Sequence, residues 1–325
     1  MLAIWIRIRY TKFGFTMARA TVERIGEYRI EKLLVRTATC IEYLGEHLVL
    51  PRRAVLKVLA PNVAALAVLR EACMLEALHH PGVVRVYESG LLTDRRPWFA
   101  RELVEGTLVS QSLAPGAIDR MDIIALLRDI AEVLGHAHYR GIVHANLRPD
   151  KIMLTGRVRG YPVCITDWSD ARAHDATAAP QTPSVASWYY TAPEVACGDA
   201  LDDRADVFSL GVIAYRLLTG VLPFEGQMAT AHDGTTQHAP TAVRCPDAPR
   251  ELTTMVDQML AHDRWDRPSA SEVHQDLTWL CEALAVPSRG LRIRRPRWTP
   301  PLDFTPHDRH RDPDLEVDPI VESDE

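Results

Sequence analysis

The hydrophobic pattern of the chain changes at about residue 104, and this change limits the possible folds more than any other sequence feature. Up to this point the apolar residues form short runs bounded by Gly45, Pro51 and Pro81-Gly82, which is typical of strands. One longer run with helical spacing, residues 62–78, lies among them. We predict five strands, in the segments 28–30, 41–44, 54–59, 83–87 and 98–104.

Beyond residue 104 the periodicity becomes helical. In residues 121–139 the apolar side chains, including Ile123, Leu127 and Leu134, share one helix face. Further helices are predicted in the segments 206–219, 251–261 and 270–284, and residues 227–248 are predicted as loop with a short helix at most. The sequence therefore predicts an α+β protein, with a small β-rich part that contains one key helix and a larger helical part after it.

Short groups of chemically distinctive residues follow one another along this pattern. The strand predicted at 54–59 contains Ala54-Val55-Leu56-Lys57, and Glu71 follows Lys57 fourteen residues later in the predicted helix. The remaining groups all lie in the helical part: His144-Ala145-Asn146-Leu147-Arg148-Pro149-Asp150-Lys151, Asp167-Trp168-Ser169, Ala192-Pro193-Glu194, Asp206-Val207-Phe208-Ser209-Leu210-Gly211 and Arg267-Pro268-Ser269.

Taken in this order over about residues 27–285, the motifs resemble those of a protein kinase. His79-His80-Pro81 and Pro223-Phe224 are similar in style to the bacterial Ser/Thr kinases. The resemblance implies a bilobal protein-kinase-like fold. Its N-lobe, residues 27–103, is small and β-rich with one key helix, and its C-lobe, residues 104–285, is helical.

The same resemblance implies a nucleotide site between the lobes. It assigns the α/β-phosphates to Lys57, which pairs with Glu71, and places Val55 against the adenine. The hinge between the lobes would contain Glu102 and Val104. Asp167 would bind a metal ion, Mg²⁺ in this family.

Three positions that carry the transfer chemistry in the family are changed in this chain. The catalytic base position holds Asn146, and the second metal-ligand position holds Lys151. An amide does not accept a proton at neutral pH, and an ammonium repels Mg²⁺. The lysine that contacts the γ-phosphate in the family is replaced by Arg148, a partial substitute. These changes indicate that phosphoryl transfer is absent or very weak.

The phosphate-binding loop of the family is also changed. Its three glycine positions, which allow the backbone to approach the phosphates, are filled by Val35, Thr37 and Cys40. Two positions that are usually apolar next to the adenine hold Glu42 and Arg101. Together these substitutions indicate that ATP fits poorly or binds differently. We therefore expect ATP and Mg²⁺ to bind weakly or not at all.

The retained charges leave the state of this site open. Lys57 and Glu71 either serve a nucleotide or form a simple salt bridge between strand and helix. Without the glycines, Lys57 would alternatively meet Asp167 directly. Lys151 would alternatively replace Mg²⁺ as the counter-charge of a bound phosphate.

Composition and charge exclude several classes of protein. Of the 325 residues, 47% are hydrophobic and 25% are charged, which is ordinary for a globular protein. A net charge of −6 gives no reason to expect nucleic acid as a partner. The six cysteines are scattered without a C-x-x-C pair, which fits reduced thiols in the cytoplasm. No run of about 18 apolar residues is present, so no membrane span is expected.

The two ends of the sequence differ from the part between them. Residues 1–26 are predicted as an N-terminal leader, either a mis-assigned start before Met17 or a segment at a membrane surface. Residues 286–325 carry a basic run followed by an acidic run, which predicts a disordered, charge-segregated tail.

Two functions from different classes follow from these patterns. The first is a pseudokinase that acts as a scaffold or allosteric partner in cytoplasmic signalling. Its partner would be a protein, such as an active kinase or the substrate of one. The second is a weakly active or atypical Ser/Thr kinase or nucleotide transferase, which would use ATP through Arg148 and Asp167. Asn146 and Lys151 are the residues that discriminate between the two.

Overall fold

The computed structural model describes residues 24–60, 65–114, 116–156, 159–174, 185–224, 234–235 and 237–284. The predictions for the leader before residue 24 and for the tail after residue 284 lie outside these described residues. The side chains of residues 65–69 and 185–186 also lie outside the description. The described part begins in a strand, three residues before the start predicted for the N-lobe.

The N-lobe is built on an antiparallel sheet with one helix, α1 (Ala65–Leu78), against it. Its six strands are β1 (Arg24–Ile25), β2 (Tyr28–Arg36), β3 (Cys40–His47), β4 (Arg53–Leu59), β5 (Val86–Leu91) and β6 (Pro97–Glu102). The strands lie side by side in the order β1-β2-β3-β4-β6-β5. This arrangement places β3, β4 and β6 next to one another in the middle of the sheet.

Several strand predictions need correction, and β2, predicted at 28–30, continues to Arg36. β5 begins at Val86, whereas the prediction placed this strand at 83–87. Val83 and Val84 are buried but lie between the turn at Pro81-Gly82 and β5, and Val83 forms a single bridge with Ile165 of the C-lobe. β1 was missed because two residues show no alternation, and β6 ends at Glu102, two residues before the predicted end. A short apolar run does not by itself distinguish a strand from a buried connecting segment.

The C-lobe is mainly helical, as predicted. Its described helices are α2 (Arg120–Tyr139), α3 (Val185–Trp188), α4 (Pro193–Cys197), α5 (Arg204–Thr219), α6 (Thr241–Arg244), α7 (Arg250–Met259) and α8 (Ala270–Ala283). Its described strands are β7 (Thr107–Leu108), β8 (Ile142–Val143), β9 (Ile152–Leu154), β10 (Val163–Ile165) and β11 (Arg172–Ala173). They form two small sheets, β10-β9-β7 and β11-β8.

Sequence signals explain where two of the longest helices begin. Asp119 precedes α2, and its carboxylate accepts a hydrogen bond from the backbone N–H of Met121. Ser269 precedes α8 and forms a capping box with Glu272. These side chains satisfy N–H groups that have no partner within the helix. α2 and α8 pack against each other in the centre of the C-lobe.

The side chains of β4 point alternately to the two faces of the sheet, and each face has its own hydrophobic core. Ala54, Leu56 and Val58 belong to a small core on the outer face of the sheet, with Trp98 and Tyr28. The odd-numbered side chains of β4 therefore point to the opposite face, where α1 packs. The main core lies on this side and continues into the C-lobe. Lys57 consequently lies on the inner face of the sheet, directed toward α1.

Two buried carboxylates, those of Asp206 and Glu194, join segments of the C-lobe through hydrogen bonds. Both carboxylate oxygens of Asp206, at the start of α5, accept backbone N–H groups, those of His144 at 2.7 Å and Ala145 at 2.8 Å. Arg267 donates to both carboxylate oxygens of Glu194, at 2.7 and 2.9 Å. Both contacts join residues of motifs that lie far apart in the sequence.

Candidate functional site

Lys57 and Glu71 form the ion pair that the sequence predicts. The ammonium of Lys57 lies 2.7 Å from Glu71 Oε2, and each residue is only 4% exposed. Glu42 lies on the other side, with Oε1 4.0 Å from the same ammonium. Burial lowers the pKa of Lys57, but the carboxylates of Glu71, Asp167 and Glu42 outweigh it and raise that pKa. Lys57 is therefore charged at neutral pH, and its bonded partner is Glu71.

A second ion pair crosses the inner face of the sheet. Arg101 donates to Glu42 at 3.1 Å, and both side chains are largely buried. The strand register explains this contact, because Glu42 is opposite Lys57 and Val55 is opposite Arg101. Alternation places these four side chains on one face of the sheet. The face predicted to contact an adenine thus carries an internal charge pair next to the buried Val55.

The hairpin between β2 and β3 is closed by a side chain. The hydroxyl of Thr37 accepts the backbone N–H groups of Thr39 at 3.2 Å and Cys40 at 3.0 Å. The N–H of Thr37 donates to the carbonyl of Cys40 at 2.9 Å. In the family, the backbone N–H groups of this loop face phosphates. Here three of them bond within the turn.

Lys151 lies at the centre of the C-lobe side of the site, on a single 3-10 turn (Pro149–Lys151). Its ammonium is 3.1 Å from Asp167 Oδ2 and 3.0 Å from Asp170 Oδ2. Its side chain is only 5% exposed. A single buried ammonium therefore bridges two carboxylates.

Asp170 was missed by the sequence analysis. A signal was present, because a lysine at a metal-ligand position requires an anionic partner when it is buried. Asp170 lies three residues after Asp167, close enough in sequence for both to reach one cation.

Asn146 is held by the same carboxylate. Its side-chain amide donates to Asp170 Oδ2 at 2.7 Å, and its backbone N–H donates to His144 Nδ1 at 3.3 Å. Arg148 lies next to it and donates to Asp150 at 2.8 Å. The side chain of Asn146 therefore acts as a hydrogen-bond donor to the carboxylate of Asp170.

Both carboxylates around Lys151 are ionised. Burial would raise the pKa of Asp167, but the ammonium groups of Lys151 and Lys57 lower it well below its usual range. For Asp170, burial is likewise outweighed by Lys151 and by the hydrogen bond from Asn146, so its pKa is lowered. The pKa of Asp167 is thus lowered by Lys57 of the N-lobe and by Lys151 of the C-lobe. The two halves of the site interact electrostatically through this carboxylate.

A buried indole fixes the segment that carries Asp167. Trp168 is fully buried, and its ring N–H donates to the carbonyl of Ile165 at 3.1 Å. Its ring lies 4.8 Å from the ring of His144, centroid to centroid, and Leu75 of α1 belongs to the same core. The ring contact joins Trp168 to His144, and all three residues lie on the side of the sheet where the main core continues into the C-lobe.

Two side chains of the C-lobe hold the end of α1. Arg140 donates to the carbonyl of Ala77 at 2.6 Å, and a ring nitrogen of His136 contacts the carbonyl of Leu78. The last carbonyls of a helix have no partner within it, so these contacts satisfy them. Sequence reasoning did not find either residue, because nothing in α2 marks which of its polar side chains reach another element.

The predicted hinge residues, Glu102 and Val104, lie near the contacts between the N-lobe and the C-lobe. The guanidinium of Arg159 is 2.9 Å from the carboxylate of Glu102 and also donates to the carbonyl of Val83 at 2.6 Å. Val104 is partly buried against the main core. Their backbone positions at the end of β6 agree with a connection between the lobes. Their side chains are engaged in contacts within the protein.

Among the residues that the structure describes, no group of three or more His, Cys, Asp or Glu is placed to hold a metal ion. Within the same ranges, no helix is long and apolar enough to span a bilayer. The two carboxylates at Lys151 thus share one side-chain cation and lack a third ligand of these types.

Comparison with known proteins identifies the family. The sequence profile of the family described as protein kinase domain matches residues 53–279. Serine/threonine-protein kinase pkn2 of Myxococcus xanthus is 32% identical over 82% of this chain and 34% of its own length. Serine/threonine-protein kinase PknJ of Mycobacterium tuberculosis is 34% identical over 61% of this chain and 34% of its own length. The chain thus spans about a third of the length of these two relatives.

A solved structure shows the same fold. The autoinhibited serine kinase domain of the giant muscle protein titin aligns with a TM-score of 0.66 at 22% identity, over 78% of this chain and 80% of that chain. At this identity the likeness concerns the fold alone. The profile match covers β4, β5 and β6 of the N-lobe sheet and the C-lobe helices up to α8. The chain therefore belongs to the protein kinase family, with the bilobal α+β fold of that family.

Proposed function

We propose that this protein is a pseudokinase, which acts through contacts with protein partners and has lost phosphoryl transfer. The observation that carries the proposal is Asn146. Its amide occupies the position of the family's catalytic base and donates a hydrogen bond to Asp170 at 2.7 Å. A side-chain amide that donates a hydrogen bond to a carboxylate, and that is not basic at neutral pH, does not take the proton of a substrate hydroxyl.

The nucleotide side of the site supports the proposal. A bound adenine would need an apolar surface on the inner face of the sheet, where Glu42 and Arg101 form an ion pair at 3.1 Å. Phosphates would need free backbone N–H groups, but those of Thr39 and Cys40 donate to the hydroxyl of Thr37. Binding ATP in the family's manner would break both sets of contacts.

The metal position does not fit Mg²⁺ either. Mg²⁺ requires near-octahedral oxygen ligands at about 2.0–2.1 Å. The ammonium of Lys151 lies 3.1 Å from the carboxylate of Asp167 and 3.0 Å from that of Asp170. A divalent ion bound to either oxygen would meet a positive charge at close range in a poorly solvated site.

A second candidate function is a weak Ser/Thr kinase that uses ATP. The Lys57–Glu71 ion pair at 2.7 Å favours it, because the family uses this pair to hold the α/β-phosphates. The relatives named above are described as Ser/Thr kinases, which also favours it. Under this alternative Arg148 and Asp167 would support the transfer, and the substrate would be a protein.

A phosphotransfer assay distinguishes the two functions. The full chain is incubated with radiolabelled ATP, Mg²⁺ or Mn²⁺ and a generic basic protein, and label is counted in both proteins. The matched control is Asp167→Ala, which removes the retained metal-ligand position. We expect the wild-type protein and Asp167→Ala to give the same background. Label above background in the wild type that Asp167→Ala abolishes would contradict the proposal and establish the second function.

A further inference from the structure

We infer that Lys151 is a tethered cation that substitutes for the metal ion of the family, so that the site keeps its arrangement without metal or nucleotide. The inference deepens the proposed function and rests on it in one respect, the loss of Mg²⁺-dependent chemistry. It concerns how the site is stabilised, which can be measured independently of phosphate transfer.

The geometry of the ammonium is that of a shared counter-ion. Its distances to the carboxylates of Asp167 and Asp170, 3.1 and 3.0 Å, are nearly equal. An ammonium carries three N–H donors, so it can donate to both oxygens at the same time. The amide of Asn146 adds a further donor to Asp170 at 2.7 Å.

The surrounding elements hold Lys151 in this position. Its backbone N–H donates to the carbonyl of Arg148 at 3.0 Å, and its own carbonyl accepts from the backbone N–H of Thr166 at 2.8 Å. The second of these bonds joins the 3-10 turn of Lys151 to the segment that carries Asp167. Lys151 is therefore attached to the site through both its backbone and its ammonium.

Charge explains why the site would need a cation. The carboxylates of Asp167 and Asp170 lie 3.1 and 3.0 Å from one ammonium, so without a cation between them they would repel each other. In the family this charge is neutralised by a metal ion that arrives with the nucleotide. In this chain the cation is part of the polypeptide, so no free ion has to be captured from solution.

Substitution of Lys151 tests the inference directly. Lys151→Met keeps most of the side-chain volume but removes the charge, and Lys151→Asn restores the residue type of the family. The matched control is Lys32→Met, which removes an exposed lysine on β2. Melting temperatures of the full chain are measured without nucleotide, in a chelator and in millimolar Mg²⁺, Mn²⁺ or Ca²⁺.

We expect the melting temperatures of the wild type and Lys32→Met to be the same in all of these solutions. Lys151→Met and Lys151→Asn should melt roughly 5 to 15 °C lower in chelator, because two partly buried carboxylates lose their shared cation. A divalent cation should then restore part of the loss in Lys151→Asn, since the site regains an oxygen ligand and loses the repelling charge. Lys151→Met, which gains no ligand, should recover less.

Two results would overturn the inference. One is a rise in the wild-type melting temperature with Mg²⁺ or Mn²⁺, and the other is a Lys151→Met protein as stable as the wild type. Should the variants fail to fold, the signal of free Mn²⁺ in electron paramagnetic resonance tests the wild type alone. An unchanged signal on adding the protein agrees with the inference, and a stoichiometric loss contradicts it. Neither measurement detects phosphate transfer, so this inference and the pseudokinase proposal can fail separately.

Discussion

At the scale of single residues, burial decides how much an ion pair contributes. Arg267 is 1% exposed and donates to both carboxylate oxygens of Glu194. Replacing it with alanine leaves a buried carboxylate without its partner. We expect Arg267→Ala to lower the free energy of unfolding by about 3–5 kcal/mol, measured by urea denaturation.

The control for this prediction is an exposed ion pair of similar length. Arg24 and Glu27 are 2.5 Å apart, but their side chains are 53% and 54% exposed. Arg24→Ala should change the free energy of unfolding by less than about 1 kcal/mol. Equal losses in the two variants would show that burial does not govern these contacts.

The Glu42–Arg101 pair gives a second residue-scale prediction. Replacing Arg101 alone with methionine leaves Glu42 in a largely buried position, with the ammonium of Lys57 4.0 Å from its carboxylate. We expect Arg101→Met to cost about 1–3 kcal/mol, and the double variant Glu42→Val/Arg101→Met to recover most of this loss. A double-mutant cycle of unfolding free energies measures the coupling, and additive single effects would contradict it.

The contacts of single residues also show which parts of the site could be predicted from the sequence and which could not. The Lys57–Glu71 pair could be predicted, because a strand motif and a helix at fixed spacing define both partners. Asp170 could not be assigned from its spacing alone, since the role of a carboxylate in a loop depends on which charge folds onto it. Arg140 and His136 were missed for a similar reason, because they bond to backbone carbonyls, which have no sequence signature.

At the scale of elements, the turn of the β2–β3 hairpin is closed by hydrogen bonds to one hydroxyl, that of Thr37. Thr37 accepts the N–H groups of Thr39 and Cys40, so Thr37→Ala leaves both donors to solvent. We expect a loss of about 1 kcal/mol and faster hydrogen exchange at these two amides. The neighbouring Ala38→Ser, which removes neither bond, is the control. Unchanged exchange at Cys40 in Thr37→Ala would show that the hydroxyl does not close the turn.

The long elements were predicted more accurately than the short ones. α2 begins one residue before its predicted start and ends where predicted, because its apolar face and its capping residue both mark its bounds. β1, with two residues, has too few side chains to show a period. Val83 and Val84 have strand-like composition but bury themselves against the C-lobe instead of extending β5. Tertiary packing decides such cases, and the sequence does not display it.

At the scale of the whole molecule, a buried histidine makes stability depend on pH. Burial and the ammonium of Lys151 lower the pKa of His144 from 6.5 to about 4, despite the nearby carboxylates. The unfolded chain therefore binds a proton below pH 6.5 that the folded protein does not bind. The contribution of His144 to the free energy of unfolding is fully present above pH 6.5. This free energy falls by about 3 kcal/mol as the pH decreases towards 4.

Urea denaturation at pH 7 and near pH 4.5 measures this loss. His80, whose pKa is also lowered, adds a loss of the same sign. The lowered pKa values of Asp167, Asp170 and Asp206 act only below the range of an ordinary aspartate, at lower pH. His144→Leu should therefore reduce the pH dependence between 6.5 and 4 without abolishing it. An identical pH dependence in this variant would contradict the assignment to His144.

The overall fold could be predicted because several motifs each mark one element and their order excludes other topologies. The sheet order, with β5 outside β6, follows from strand pairing that no motif encodes. The site was predicted position by position, but its internal charge pairs depend on distances between elements. These distances arise only when the strands, helices and loops of each lobe pack on one another.

The way in which α1 is held has a consequence for the cooperativity of unfolding. Its middle is bonded to β4 through Glu71, and its last carbonyls are bonded to His136 of α2 and to Arg140, the residue that follows α2. A helix that is held from both sides cannot open locally without breaking bonds to two elements. Its amide protons should thus exchange only in openings that also involve α2, which makes α1 part of the C-lobe's cooperative folding unit although it lies in the N-lobe.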